Sequence, residues 1–132
     1  MMEGSYLHEA WRAPDNTRLV SKQFSFRLPV HVAAKLSAIG DIYPTKNRTQ
    51  IVADLLTLAL ENFENGLPQY KGAPFEGNFE LDEPHYYVEG LKRRFWELSN
   101  KYFQELEAEL GNPEAKPLFI TNVIDTEENF AK

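Results

Sequence analysis

The sequence predicts a mainly α-helical chain that works as a homodimer. Two copies would share one intermolecular two-stranded antiparallel ribbon, each chain would add two helices, and a C-terminal extension would contain a long helix. Three observations predict this. Residues 22–29, KQFSFRLP, alternate apolar and polar side chains with the period of a strand. Two amphipathic helical stretches follow at once, and a third, longer one comes after residue 83. No other strong strand pattern occurs before residue 63, so a strand here must find its hydrogen-bonding partner in a second copy.

The elements follow in order. Residues 1–19 show no clear period and read as an N-terminal arm, with Tyr6, Leu7 and Trp11 as its apolar anchors and a turn at Pro14-Asp15-Asn16. The strand spans about residues 20–28. Val20, Phe24, Phe26 and Leu28 share one face, interrupted by Lys22, and Ser21, Gln23, Ser25 and Arg27 share the other. Pro29 ends it and suits a helix start. The first helix is expected over 30–42, where Val32, Leu36, Ile39 and Tyr43 form one stripe and Gly40 and Pro44 close it. YPTKN connects it to a second helix over 47–63, for which Thr45 or Asn47 can cap the first turn. Ile51, Val52, Leu55, Leu56, Ala59 and Phe63 give that helix a wide apolar face, as expected of a central element.

Residues 64–83 hold three Gly and two Pro and read as a linker, with Tyr70, Phe75 and Phe79 available to pin it. The extension, 84–132, starts with a long helix over 84–110. Val88, Leu91, Phe95, Leu98 and Tyr102 repeat close to a heptad seam that drifts to Leu106 and Leu110. That seam would pack on residues 51–63 or make a second dimer contact. Gly111-Asn112-Pro113 stops the helix, and PLFITNVID reads as a short final strand.

Composition narrows the function classes. There is no Cys among the 132 residues, which removes disulfides, thiolate metal sites and thiol catalysis. The three His are scattered, no His has a Ser or Asp at a telling spacing, and no glycine-rich phosphate loop occurs, so the chain reads as a non-enzyme without metal or cofactor. The N-terminus lacks the basic start and apolar run of a signal peptide, and IVADLLTLAL is too short to span a bilayer. A cytoplasmic setting is expected. The net charge of −6 opposes a nucleic-acid partner, but it is unevenly spread. Residues 21–50 hold five basic residues against Asp41 alone, a local charge of +4, whereas residues 64–132 carry a net −7.

The order strand, Pro, helix, short turn, helix over about 21–63 resembles the ribbon-helix-helix (MetJ/Arc-type) family of DNA-binding proteins. Two stretches carry the resemblance: KQFSFRLP and NRTQIVADLL. It implies that the ribbon enters the major groove and that Gln23, Ser25 and Arg27 contact bases. Arg27 suits a guanine and Gln23 an adenine. It implies that the second helix start holds phosphates through Lys46, Asn47, Arg48, Thr49 and Gln50, with Lys22 adding a further contact. The physics agrees independently, because a helix N-terminus exposes N–H groups and partial positive charge to anions. Cations such as Lys46 and Arg48 are locally unfavourable there unless an anion joins them. The family often carries Gly in the turn, where this chain has Tyr43-Pro44-Thr45-Lys46-Asn47.

The implied function is sequence-specific transcription regulation, by a repressor for example, on a palindromic or repeated double-stranded DNA operator, with higher oligomers forming on DNA. The alternative is a protein-interaction module, antitoxin-like or an adaptor, on the same dimer fold with residues 84–132 binding a protein partner. The alternation of residues 20–28 would equally serve an ordinary edge strand. Lys92-Arg93-Arg94, with Glu89 and Glu97 within a turn, reads as surface ion pairing, and His85-Tyr86-Tyr87 as a packed aromatic helix start.

Overall fold

The computed structural model describes residues 18–77 and 83–132. The turn and anchors expected in residues 1–17, and the anchor Phe79, lie outside the described residues. The chain divides into two compact units, Met1–Asn65 and Gly66–Lys132.

The first unit is a helix pair. Helix α1, Val30–Ile42, begins directly after Pro29, whose carbonyl accepts from the N–H groups of Val32 and Ala33 at 3.1 and 3.0 Å. Proline fits this place because its fixed φ, here −56°, leads into a helix and its missing N–H is no loss. The helix ends at Tyr43, whose N–H donates to the Ile39 carbonyl, and a turn closed by Lys46 N–H to Tyr43 O follows. Helix α2 is Arg48–Gly66. Asn47 caps it: its Oδ1 accepts from Gln50 N–H at 2.7 Å, one of the two caps the sequence offered. Ile51 is 2% exposed and is the buried centre of this unit, packed by Leu36, Ile39 and Tyr43 from the first helix side and by Leu55 and Leu58 from its own helix.

The second unit holds an antiparallel sheet and a helix. Strand β1, Tyr70–Pro74, and strand β3, Ile124–Thr126, flank the central strand β2, His85–Glu89. Tyr70 faces Glu89 and Lys71 faces Val88, and after an irregularity Pro74 faces Tyr86. On the other edge His85, Tyr86 and Tyr87 face Thr126, Asp125 and Ile124. Gly90 alone separates β2 from helix α3, Leu91–Glu109. Its φ of +85° reverses the chain, and a Cβ there would lie 2.2 Å from Tyr70 Cδ2, so only glycine fits. Helix α3 packs on β2. Val88, Trp96 and Phe130 are buried between them, with Tyr86, Phe95, Phe119 and Val123 around. Phe119 stands 6.0 Å from Phe95 and 6.5 Å from Trp96. A single turn of 3-10 helix, Glu127–Asn129, follows β3, and Ala131 N–H then donates to Gln69 O at 2.7 Å, tying the chain end to the approach to β1.

This corrects the expected fold class. The chain is mixed α/β, not a mainly α ribbon-helix-helix dimer with one intermolecular ribbon. The sheet among the described residues has three strands and closes within one chain, and residues 20–28 take no part in it. Alternation at 20–28 supplies a face but no neighbour, and a strand exists only as part of a ladder. Residues 64–83, expected as a linker, contain β1. The expected helix over 84–110 starts only at Leu91, because residues 85–89 are a strand.

Candidate nucleic-acid interface

The residues that the sequence singles out lie on two stretches of the first unit. Gln23, Ser25 and Arg27 stand on residues 22–28, which lie outside any helix or sheet and are exposed throughout. The side chains that alternate with them are exposed too: Phe24 by 56%, Phe26 by 77% and Leu28 by 48%. Lys22 Nζ sits 5.3 Å from the centre of the Phe24 ring, a cation–π contact that holds its charge beside the segment. Among the described residues, no hydrogen bond satisfies the backbone groups of residues 23–28. Water can do so while the segment is exposed. A protein or nucleic-acid surface that displaced the water would have to replace those bonds.

The second stretch is the start of α2. The Asn47 side chain and carbonyl engage the N–H groups of Gln50 and Ile51, at 2.7 and 3.2 Å. The remaining N–H groups of that first turn, on Arg48 and Thr49, carry the positive end of the helix dipole. Arg48 and Thr49 are exposed, and Lys46 and Gln50 are half-buried. The Arg48 guanidinium reaches back toward α1, with Nη2 3.8 Å from where a Cβ on Gly40 would stand. No acidic residue occupies the first turn of α2, the place where a carboxylate would ordinarily answer the dipole. The stretch therefore collects positive charge and backbone donors, the chemistry that holds a phosphate oxygen.

A polar cluster in the second unit was not anticipated. Asp125 accepts from Gln69 Nε2 at 2.9 Å, Asn129 Nδ2 at 2.7 Å and Thr126 N–H at 2.8 Å. Partial burial pushes its carboxyl up, but those three donors outweigh it and hold the group below its ordinary value. Beside it, Lys71 donates to Glu127 at 2.8 Å and lies 4.7 Å from the Tyr86 ring centre, and the hydrogen bond to Glu127 raises the ammonium's pKa. Glu89 and Glu97 both pair with Arg93, so that arginine's charge is answered within its own helix region. The sequence separation of Gln69 and Asp125 is 56 residues, which hides the cluster from any local pattern. An open depression of about 350 Å³ beside it is lined by Lys71, Glu127, Glu128, Phe130, Ala131 and Lys132. Gln69, Asp125 and Asn129 bond to one another and Lys71 to Glu127, so the cluster fastens residues 125–129 to the start of β1. Among the described residues no set of His, Asp and Glu side chains is placed to hold a metal ion, and no helix is long and apolar enough to cross a membrane.

No protein-family model, no curated protein and no solved structure matches this chain.

Proposed function

We propose that this chain is a sequence-specific DNA-binding transcriptional regulator that works in the cytoplasm as a homodimer. The observation that carries the reading is the segment 22–28: exposed on both of its faces, and with no internal partner for its backbone among the described residues. Such a segment is suited to lying in the major groove, about 12 Å wide, where Gln23, Ser25 and Arg27 meet base edges. Lys22, Lys46, Asn47, Arg48, Thr49 and Gln50 then hold phosphates. The local charge of residues 21–50 suits this against an acidic whole. The resemblance of residues 21–63 to the ribbon-helix-helix regulators supports the same reading of these residues. Two copies, related by a two-fold axis, read a palindromic or repeated operator.

A gel shift on the DNA upstream of the protein's own gene, at fixed salt, tests this. A band that survives an excess of unrelated DNA supports the reading. A band lost to equal amounts of unrelated DNA, or none at low salt, overturns it.

One observation favours a second reading. The acidic half of the chain is a compact unit with its own buried centre at Val88, Trp96 and Phe130, so it offers a folded surface of its own. In that reading residues 84–132 bind a protein partner, as an antitoxin or adaptor would. Co-purification of the full chain with the product of an adjacent gene, without DNA, separates the two.

A further inference from the structure

We propose that Asn65, in the last turn of helix α2, is a site of spontaneous covalent modification that converts its side-chain amide to a carboxylate. Asn65 alone among the asparagines of the chain is followed by glycine. The next residue matters because its backbone nitrogen is the nucleophile. The Gly66 nitrogen gives up its proton and bonds to the side-chain carbonyl carbon of Asn65. The bond from that carbon to Nδ2 breaks, and the nitrogen takes up a proton and leaves as ammonia. The product is a cyclic imide. Water then opens the ring at one of its two carbonyls, giving aspartate or its isomer isoaspartate. Water is the one co-reactant, and nothing is oxidised or reduced.

The structure leaves this pair open to the reaction. Asn65 and Gly66 are both exposed, and the Asn65 side chain has no hydrogen bond among the described residues. A Cβ on Gly66 would meet no atom within 4 Å, so no neighbour crowds the ring as it closes. Other asparagines are held or hindered. Asn47, Asn100, Asn112 and Asn129 use their side chains in hydrogen bonds. Asn62 and Asn122 are exposed, but Phe63 and Val123 follow them, and a side chain on the attacking residue obstructs the ring.

Helix geometry gates the rate. Ring closure requires Asn65 to leave its helical ψ, about −42° in a regular helix, so the last turn must open first. The helix ends at Gly66, and terminal turns open at little cost in free energy. Reaction then makes the opening permanent. The new carboxylate stands at the negative end of the helix dipole, with Glu61 one turn before it and no base in the last turn. Isoaspartate also inserts a methylene into the main chain, which breaks the spacing of the helical hydrogen bonds. A chain of net charge −6 gains one further negative charge.

Incubation of the full chain at mildly alkaline pH tests this, with peptide mapping by mass spectrometry and labelling by an isoaspartate-specific methyltransferase. Amide loss at Asn65 should rise with pH and exceed that at Asn62 or Asn122 by about tenfold or more, because those sites lack the following glycine. It should run within about tenfold of the rate in urea, where no helix gates it. Gly66→Ala should slow it by about tenfold or more. The space at Gly66 is open and alanine favours a helix, so this variant folds, and circular dichroism checks that it does. An Asn65 that stays intact in the folded chain while it reacts in urea overturns the proposal. So does equal amide loss at Asn62 or Asn122, or a Gly66→Ala variant that reacts like the parent.

Discussion

Asn100 offers the sharpest test of how the second unit is held together. It lies on α3 and makes two hydrogen bonds to one residue of the following loop. Its Nδ2 donates to the Phe119 carbonyl at 2.9 Å, and its Oδ1 accepts from the Phe119 N–H at 2.7 Å. Phe119 is thereby pressed against Phe95 and Trp96. Asn100→Ala removes both bonds and leaves a backbone donor and acceptor partly buried without partners. Each neutral bond is worth about 1 kcal/mol net, and stranding its partner adds to the loss, so the cost should be about 2–3 kcal/mol. With a urea slope of about 1.5 kcal/mol per molar, the midpoint falls by about 1–2 M. Trp96 fluorescence reports the transition, in a Trp11→Phe background that leaves Trp96 as the one tryptophan. Asn100→Leu separates bonding from packing, since it keeps the volume and restores neither bond. It should cost nearly as much as the alanine. A leucine variant with the parent midpoint, or an alanine variant within about 0.5 kcal/mol of the parent, would refute the assignment of stability to these bonds.

Other outcomes follow from the same physical account. Arg27→Ala should weaken operator binding by about 1–3 kcal/mol and relax preference at the base it reads, measured by competition gel shift; unchanged affinity removes Arg27 from the interface. Lys46→Ala should weaken all DNA alike and lower the slope of log K against log salt by about one unit. Gly90→Ala should cost more than about 2 kcal/mol by urea unfolding, because φ is +85° and Tyr70 occupies the space, and a neutral result would contradict the tight turn. Asp125 titrates below its ordinary value near 3.8 when folded. The stability it adds is therefore full above that ordinary value and lost as pH falls through the lower, folded one. Urea midpoints of Asp125→Asn should show less acid sensitivity than the parent below about pH 4, and equal sensitivity would mean that other groups carry it.

The helix pair was legible because each local signal agrees with the outcome. Val32, Leu36 and Ile39 repeat at helical spacing, Pro29 starts α1, and Asn47 starts α2. The sheet was not legible, and the reasons are specific. YKGAP contains Gly and Pro, both depleted in strands, so it reads as a linker. Yet Gly72 is what lets β1 approach β2, since a Cβ there would lie 2.9 Å from the Tyr87 carbonyl oxygen. In HYYVEGL, Val88 happens to stand three residues before Leu91 and joins the helical seam by spacing alone. Gly90, with its left-handed φ, is what divides strand from helix. A short final strand was expected over PLFITNVID; the strand is Ile124–Thr126, which shares only the last two residues of that stretch, and residues 117–123 are not in a strand. Of the candidate interface, the charge at the start of α2 was visible in sequence. That residues 23–28 have no backbone partner among the described residues is a matter of tertiary neighbours, which no local pattern shows.

The two units differ in how much they bury, and that difference bears on the proposed dimer. The second unit encloses Val88, Trp96 and Phe130. Among its described residues the first has one buried side chain, Ile51, while Phe26, Val30, Ile42, Leu56 and Leu60 are each more than half exposed. A body this small seldom buries enough apolar surface to offset chain entropy, and association with another chain is a usual remedy. If a second copy covers these residues, folding of the helix pair and dimer formation are one equilibrium, and its stability depends on concentration. About a hundredfold dilution should then cost roughly 2.7 kcal/mol of apparent stability in the helix pair, whereas the Trp96 signal of the second unit holds steady. Helical circular dichroism and Trp96 fluorescence would separate on dilution. A helix signal independent of concentration would mean that α1 and α2 stand without a second copy, and the two-fold reading of an operator would lose its basis.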